Sequence, residues 1–245
     1  KIYQTIPGRI EFIKTDGLGD TDRISKFSIF SPGINIVYTP GAKFLQGSER
    51  VRFLKGKLPR FNFTYVFSAK KLGSDFNFHK MELIMDERLP SPIGHTNIRL
   101  VGTKLFGSAP YPLLHIHSGN ESFMYNKERF SNMLETEFIA DQQLTLMIEH
   151  HFDGFFFNKI PGWKKLGLRE VFTTKMAVSS LDPKKVSFSD LPADLKGLNG
   201  FYAEIGFGIE NILKLVRVDF SWRLTQLNEP NIKKFRWTIS FSPAF

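Results

Sequence analysis

A strict two-residue alternation of apolar and polar side chains near the end of the chain is the feature that most constrains its fold. In residues 216–224 every even-numbered side chain is apolar and every odd-numbered one is polar or charged. A period of two places these two sets on opposite faces of an extended strand. The same alternation recurs in residues 201–209 and 235–241. Successive segments of this kind, separated by short connections, predict an antiparallel meander.

Further segments towards the amino terminus have the same character. Apolar side chains alternate with polar ones in them, and stretches that contain Pro or Gly lie between them. These predicted strands are residues 34–38, 60–68, 76–85, 93–106, 144–151 and 171–178. Residues 127–137 are the best candidate for a helix. The sequence therefore predicts an all-β chain of roughly nine or ten strands.

A membrane-spanning helix is excluded, because no stretch approaches the ~18 consecutive apolar residues that such a helix needs. A β-barrel needs no such stretch, since its strands present an apolar side chain to lipid at every second position. The aromatic residues near the predicted strand ends, and the final Phe245, are typical of the interfacial girdles of barrels. The predicted fold class is an all-β antiparallel transmembrane β-barrel with meander topology, or the C-terminal portion of a larger one.

The alternation also assigns the side chains of the last strands to faces. We expect the apolar face to contact lipid and the charged face to line the lumen. We also expect the charges to pair with one another, because an unpaired charge in so confined a space is costly. The predicted lumen-facing charges are Glu204, Arg217, Asp219, Arg223 and Arg236. The predicted lipid-facing residues are Val216, Val218, Phe220, Trp222, Phe235, Trp237, Ile239 and Phe241.

Composition limits the chemistry of the chain. It contains no cysteine, which excludes disulfide bonds, thiol catalysis and cysteine-type zinc sites. Its net charge of +9 would suit nucleic acid, anionic lipid or acidic polysaccharide as partners. The lysines and arginines are spread over predicted loops and polar strand faces, however, with no basic helix and no basic–aromatic motif. Nucleic acid is therefore not an expected partner.

Several motifs resemble one family of bacterial outer-membrane proteins. They are Glu-His-His-Phe-Asp-Gly at 149–154, Phe-Asn-Lys-Ile-Pro at 157–161, Leu-Arg-Glu-Val at 168–171 and the long segment 202–224. The family is a Bacteroidetes-type group of outer-membrane β-barrels with an N-terminal carboxypeptidase-like regulatory domain. More loosely, the last strands are similar to the surface-antigen and assembly-factor barrels. The resemblance implies the outer membrane of a Gram-negative bacterium, with outer-membrane lipids, lipopolysaccharide and other envelope proteins as partners.

The domain prediction is one outer-membrane barrel domain over residues 1–245. The regulatory domain and the earlier strands of the family are missing from this sequence. We therefore expect the chain to be the C-terminal part of a longer protein, whose complete barrel has about 14–16 strands. A barrel of about 8–10 strands could also close from a chain of this length.

Four side chains form the strongest candidate for a metal site. His115 and His117 share one face of an extended segment, and Glu149 and His151 share one face of another. If these strands were neighbours, the four groups could bind zinc. Nothing in the sequence brings them together, so no metal is predicted. Residues 16–22 have the acidic, glycine-containing look of a calcium loop but lack the EF-hand spacing.

Three functions remain open at this stage. The first is a structural, assembly-associated or export-associated subunit of an envelope complex, which the similarity to assembly-factor barrels implies as an analogy of fold. The second is a passive channel or transporter that passes a small solute through a polar lumen. The third, a hydrolase of the membrane surface, ranks last because no Gly-x-Ser-x-Gly elbow occurs. We therefore expect no catalytic residue, no cofactor and no enzyme activity.

Overall fold

A computed structural model describes residues 2–4, 12–15, 21–24, 26–41, 44–46, 51–53, 59–187, 191, 195–198, 200–228 and 232–241. Nine of the described strands form one large sheet. In chain order they are β1 Gly33–Tyr38, β2 Arg60–Ser68, β3 Phe78–Ser91, β4 Gly94–Gly107, β5 Gln142–His151, β6 Arg169–Ser180, β7 Phe201–Ile212, β8 Val216–Arg223 and β9 Phe235–Phe241.

The order of these strands in the sheet is their order in the chain, and each neighbouring pair is antiparallel. The predicted all-β meander is therefore confirmed. Sequential antiparallel neighbours are the building plan of up-and-down barrels. Among the described residues the sheet is open, with β1 at one edge and β9 at the other. The fold is that of a partial barrel.

The prediction from the sequence differs most from the structure at two places. β3 continues to Ser91, six residues beyond its predicted end. Pro90 is tolerated there because it lies at the end of the strand, where few hydrogen bonds of the ladder remain. Residues 127–137, the best helix candidate, contain no helix and form turns, bends and an isolated bridge. Several of their backbone groups bond to side chains of the sheet instead, as described below.

Short elements complete the described structure. Antiparallel pairs join Ile2–Gln4 with Lys26–Ser28, Phe12–Thr15 with Thr21–Ile24, and Phe44–Gln46 with Val51–Phe53. Ala109–Pro110 pairs with Val186–Ser187, and Phe138–Ala140 pairs with both His115–Ile116 and Lys196–Gly197. The described 3-10 helices are Lys70–Leu72, Tyr111–Leu113, Phe157–Lys159, Trp163–Leu166 and Pro183–Lys185. None of the helices in the described ranges combines the length and the apolar character needed to cross a membrane.

The large sheet has two faces of opposite character. On one face, called the outward face, aromatic and aliphatic side chains are exposed, among them Leu144, Phe172, Trp222 and Trp237. On the other, called the inward face, polar and charged side chains are buried, among them Lys175, Glu204, Arg217 and Arg223. A sheet of a water-soluble protein has the reverse arrangement, with its apolar face on the core and its polar face in solvent.

The connections between strands lie at two rims. The tight turns 92–93 and 213–215 and the loop 152–168 lie at one end of the sheet, called the lower rim. The connections 69–77 and 108–141, and the described residues of the connections that follow β6 and β8, lie at the other end, called the upper rim. At the lower rim, Gly94 has a φ of 121°, and a Cβ there would lie 1.9 Å from the His151 carbonyl oxygen. Glycine is therefore required where β4 approaches β5 after the turn.

Candidate functional site

The connection between β4 and β5 folds onto the inward face of the sheet. It comprises residues 108–141 and is called the inner segment. Its side chains Phe130, Met133 and Phe138 form a buried apolar cluster with Met147 of β5 and Tyr202 of β7. This cluster fixes the inner segment over the middle strands, and polar groups around it pair with the charges of the inward face.

Glu204 of β7 binds the backbone of the inner segment. Its carboxylate accepts hydrogen bonds from the N–H of Ser131 at 2.5 Å and from the N–H of Asn132 at 2.9 Å. The Tyr202 hydroxyl donates to the same carboxylate at 3.2 Å. Hydrogen bonds to an ionised acceptor are about twice as strong as neutral ones. In a helix over residues 127–137 these two N–H groups would bond to carbonyls of the same segment, whereas here they bond to a carboxylate of the sheet.

Arg223 of β8 is the second anchor. Its guanidinium donates two hydrogen bonds to the carboxylate of Glu137, at 3.0 and 2.7 Å. Arg223 and Glu204 are register partners in adjacent strands, yet each bonds to the inner segment. The expectation that the charges of this face pair with one another was therefore wrong for these two residues, because the inner segment supplies a partner to each.

Arg236 of β9 also reaches the inner segment. Its guanidinium donates to the carbonyl oxygens of Ser122 at 2.6 Å and of Ser131 at 3.1 Å. Farther along β9, the Tyr125 N–H donates to the Ile239 carbonyl at 2.8 Å. The inner segment thus contacts the edge of β9 through backbone and side-chain bonds, and covers part of that edge.

Lys175 of β6 is buried with its ammonium group on backbone carbonyls of the inner segment. It donates to the Asn126 carbonyl at 3.1 Å and to the Arg129 carbonyl. Its Nζ lies 4.9 Å from the centre of the Tyr125 ring. Lysine is almost never fully buried unless its charge is compensated. Here carbonyl dipoles and an aromatic face compensate the charge, and they tie the inner segment to the centre of the sheet.

Further acidic and basic side chains lie on the inward face, between the inner segment and the lower rim. Arg217 of β8 lies 2.7 Å from Asp219 and 2.9 Å from Glu149 of β5. The pairing expected within the face therefore occurs for Arg217 and Asp219. The Tyr125 hydroxyl donates to Glu149 as well, so the inner segment joins this part of the network.

His151 connects this network to the lower rim. One ring nitrogen lies 2.8 Å from Glu149 and the other lies 3.1 Å from Glu210. The ring stacks on His95 of β4 at 4.5 Å between centroids, and His95 lies 3.1 Å from Asp153. A row of titratable side chains therefore runs along the inward face from the inner segment to the end of β5.

A cavity of about 510 Å³ lies between the inner segment and the lower rim. Its wall includes Arg99, Tyr125, Glu128, Glu149 and Lys175. Charges of both signs meet there, so the cavity has no preference for anions or cations by charge alone. Its volume and polar lining suit ordered water or a small polar solute.

The two pairs of candidate metal ligands lie at different levels of the sheet. His117 is buried with its Nε2 at 3.0 Å from the Ser179 hydroxyl, and Ser179 pairs with Gln143 near the start of β5. Glu149 and His151 lie at the end of β5, roughly 20 Å along the strand from Gln143. The structure therefore does not bring the four groups together. Within the described ranges, no three His, Asp or Glu side chains are arranged to hold a metal ion.

Burial changes the proton affinity of the two histidines in the inner segment. Desolvation, together with the neighbouring His117 and Lys80 charges, lowers the pKa of His115 from 6.5 to about 3. Desolvation lowers the pKa of His117 from 6.5 to about 4. Both side chains are neutral at pH 7 while the inner segment is in place, and protonation would favour its release.

The structure places the predicted face residues in two opposite rows. The predicted charges Glu204, Arg217, Asp219, Arg223 and Arg236 lie on the inward face, and all contact either the inner segment or one another. On the outward face, Trp222, Phe235, Trp237 and Phe241 are exposed, and Val216, Val218, Phe220 and Ile239 are partly exposed. That the outward face contacts lipid and the inward face borders a lumen stays a prediction.

Lys175, Tyr125 and Glu137 bind within the site but were not among the predicted site residues. The sequence could have indicated Lys175, because it occupies the polar face of an alternating strand. No sequence pattern indicates Tyr125 or Glu137, because both lie outside helices and strands, and Glu137 binds Arg223 across 86 residues of sequence. Residues 16–20 of the possible calcium loop, and the final Phe245, lie outside the described residues.

Comparison with solved structures found a related fold. The crystal structure of BamA from Haemophilus ducreyi lacking POTRA domains 1–3 matches with a TM-score of 0.52 and 11% sequence identity. The match covers 93% of this chain and 44% of that chain, so this chain spans less than half of its length. At this identity the likeness shows the fold alone. A search of curated proteins found no match.

A match to a protein-family model shows which family the chain belongs to. The model of the C-terminal domain of DUF5686, a family of unknown function, matches residues 16–182, which is more than half of the chain. This range includes β1 to β6 and the inner segment, and β7 to β9 follow it. The family description contains no carboxypeptidase-like domain, so that part of the resemblance stays a prediction. The chain belongs to the DUF5686 family.

Proposed function

We propose that this chain forms part of an outer-membrane β-barrel whose interior is closed by the inner segment, and that it acts as a structural or assembly-associated subunit of the envelope. The observation that carries this proposal is the distribution of polarity across the sheet. The outward face exposes large apolar side chains, whereas the inward face buries charges. Water does not stabilise an exposed apolar surface of this extent, but the hydrocarbon of a bilayer does.

The inner segment supports a closed barrel. Glu204, Arg223, Arg236 and Lys175 each bond to it from a different strand. Release of the segment would leave these charges without their partners, which costs free energy wherever they stay out of water. A barrel closed in this way suits a subunit that docks other envelope proteins. The similarity of the last strands to assembly-factor barrels favours the same role, as an analogy of fold.

The test combines location with conductance. The full-length protein is extracted from membrane fractions and run boiled and unboiled on a denaturing gel. We expect it in the outer-membrane fraction, with faster migration when unboiled. In planar bilayers we expect the wild type to be silent and Glu204→Gln combined with Arg223→Met to conduct. A soluble protein without a mobility shift would overturn the barrel, and equal conductance of wild type and variant would overturn its closure.

A passive channel for a small solute is the second candidate. The cavity of about 510 Å³ below the inner segment favours it, because a polar space already exists on one side of the closure. Steady conductance of the wild type would support this function over the first. Substitution of Arg99, which lines the cavity, should then change the ratio of anion to cation permeability.

A further inference from the structure

The loop between β5 and β6 carries a surface that the proposed barrel does not by itself explain. It comprises residues 152–168, at the lower rim, and is called the rim loop. Its apolar side chains are exposed, with exposed fractions of 50% for Phe156, 42% for Trp163 and 61% for Leu166. Clustered apolar side chains on a surface mark a contact with another molecule or with a membrane.

The rim loop holds these side chains in an ordered conformation. Two short 3-10 helices lie within it. Glu170, at the start of β6, accepts a hydrogen bond from the Phe157 N–H. The Asn211 side-chain amide donates to the Gly167 carbonyl at 2.6 Å and so ties the end of the loop to the end of β7. The apolar surface is therefore presented by a fixed backbone.

Aromatic contacts place the rim loop on the outward side of the sheet. His150 belongs to the outward face of β5, and its ring lies 4.4 Å from the ring of Phe152. The Phe152 ring lies 5.1 Å from that of Phe156, which in turn lies 5.1 Å from that of Phe155. The rings of Phe152, Phe155 and Phe156 thus continue the outward face of the sheet beyond the end of β5, and Trp163 packs on Phe157 of the same loop at 4.9 Å between ring centres.

The charge of the rim loop is almost entirely positive. It contains Lys159, Lys164 and Lys165, and its acid Asp153 lies 3.1 Å from His95. The ammonium group of Lys159 lies 3.8 Å from the centre of the Phe155 ring, so the lysine follows an aromatic surface. Aromatic side chains combined with lysines are typical of segments that lie at the level of lipid headgroups.

We propose that the rim loop binds the phospholipid headgroup layer of the leaflet that borders the lower rim. Phe156, Trp163 and Leu166 lie at the boundary with the acyl chains, and the lysines bind lipid phosphates. Charge complementarity and continuity with the outward face favour lipid over a protein partner. The inference rests on the proposed function, because only a membrane-spanning sheet brings the lower rim to this level.

Tryptophan fluorescence provides the test. The chain has three tryptophans, and Trp222 and Trp237 lie on the outward face. The variant W222F/W237F retains Trp163, and the matched variant W163F/W222F retains Trp237. Each variant is made in the full-length protein, with any tryptophan outside this chain also replaced by phenylalanine, and is placed in phosphatidylcholine vesicles with bromine on the acyl chains, near either the carbonyl group or the methyl end. We expect bromine near the carbonyl group to quench Trp163 much more than bromine at the methyl end, and lipid bromine to quench Trp237.

The two retained tryptophans separate the possible failures. If lipid bromine quenches Trp237 but not Trp163, and aqueous iodide quenches Trp163, the rim-loop inference is overturned while the barrel stands. If lipid bromine quenches neither, the barrel itself is overturned. Protection of Trp163 from both iodide and bromine would mean that another part of the full-length protein, or a second copy of it, covers the loop, and would overturn the assignment to lipid.

The lysines are tested in the variant that retains Trp163. Adding phosphatidylglycerol to the vesicles should increase quenching by bromine near the carbonyl group, and high salt should reverse the increase. The further substitutions Lys159→Gln, Lys164→Gln and Lys165→Gln should abolish most of this increase without affecting the quenching of Trp237 in its own background. An unchanged response to phosphatidylglycerol would overturn the role of the lysines.

Discussion

Replacing Arg223 with methionine should release the inner segment. The Arg223 side chain has 0% exposed surface, and that of Glu137 has 4%. Methionine keeps the length of the stem but removes both hydrogen bonds to Glu137 and those to the carbonyls of Thr225 and Gln226, so the Glu137 carboxylate stays buried without its counter-charge. Breaking a buried ion pair in this way costs about 3–5 kcal/mol. The double variant Arg223→Met/Glu137→Gln should recover part of this cost, because its glutamine is neutral and can still accept a hydrogen bond from the Leu134 N–H, which lies 3.1 Å from the Glu137 carboxylate. The bonds of Arg223 to the Thr225 and Gln226 carbonyls stay lost in both variants.

Trypsin cleavage after Lys127 or Arg129 measures the release. A protease cuts the transiently opened segment in proportion to its equilibrium population when opening and closing are fast. A cost of about 3–5 kcal/mol raises that population by about 10²-fold or more, since each step of about 1.4 kcal/mol is tenfold. The control Glu135→Gln removes a pair with Arg129 in the same segment whose side chains are 43% and 53% exposed. It should cost about 1 kcal/mol or less.

Two results would refute this reasoning. If Arg223→Met were cut no faster than the wild type, the pair would not hold the inner segment in place. If the double variant were cut as fast as the single one, the loss of arginine packing would be the cause, and not the unpaired carboxylate. The cleavage sites are mapped by mass spectrometry, so that cuts outside the inner segment are not counted.

Three further predictions concern the faces of the sheet, pH and a turn. Leu100→Lys, at the centre of the outward face of β4, should lower the unfolding free energy in vesicles by ~2–4 kcal/mol. Asn97→Lys, on the cavity wall, should lower it much less. Equal losses for the two variants would contradict the assignment of faces. Because the folded-state pKa of His117, about 4, lies below the unfolded value of 6.5, its contribution is complete above pH 6.5 and is lost as the pH falls to 4. The lost stability is about 3 kcal/mol. Urea titrations at several pH values should show the unfolding free energy of the wild type falling by this much more than that of His117→Gln as the pH is lowered to 4. Gly94→Ala should destabilise the protein by ~2 kcal/mol or more, because its Cβ would lie 1.9 Å from a backbone carbonyl oxygen. In the control Gly102→Ala the new Cβ would lie 3.7 Å from its nearest atom, so this change should be tolerated. Equal melting temperatures for the two variants would contradict this reasoning.

Much of the sheet could be predicted because the two faces of a strand depend only on local sequence. β2 begins and ends at the predicted residues, 60 and 68. The opposite placement of Arg217 and Val218 follows from their parity alone. The end of β3 was missed because the cost of Pro90 depends on its position in the ladder, and the sequence does not contain that position.

The sequence by itself determined the strands, their direct connections and therefore the antiparallel meander, because each strand pairs with its neighbour in the chain. Only the tertiary structure decided where residues 108–141 lie and what the inward charges bind. The contacts of this segment reach Glu204 and Arg223 across 72 and 86 residues of sequence. Part of its backbone lies outside any helix or strand, because side chains of distant strands such as Glu204 and Lys175 satisfy its N–H and C=O groups. No local signal can encode partners that exist only after the sheet has formed.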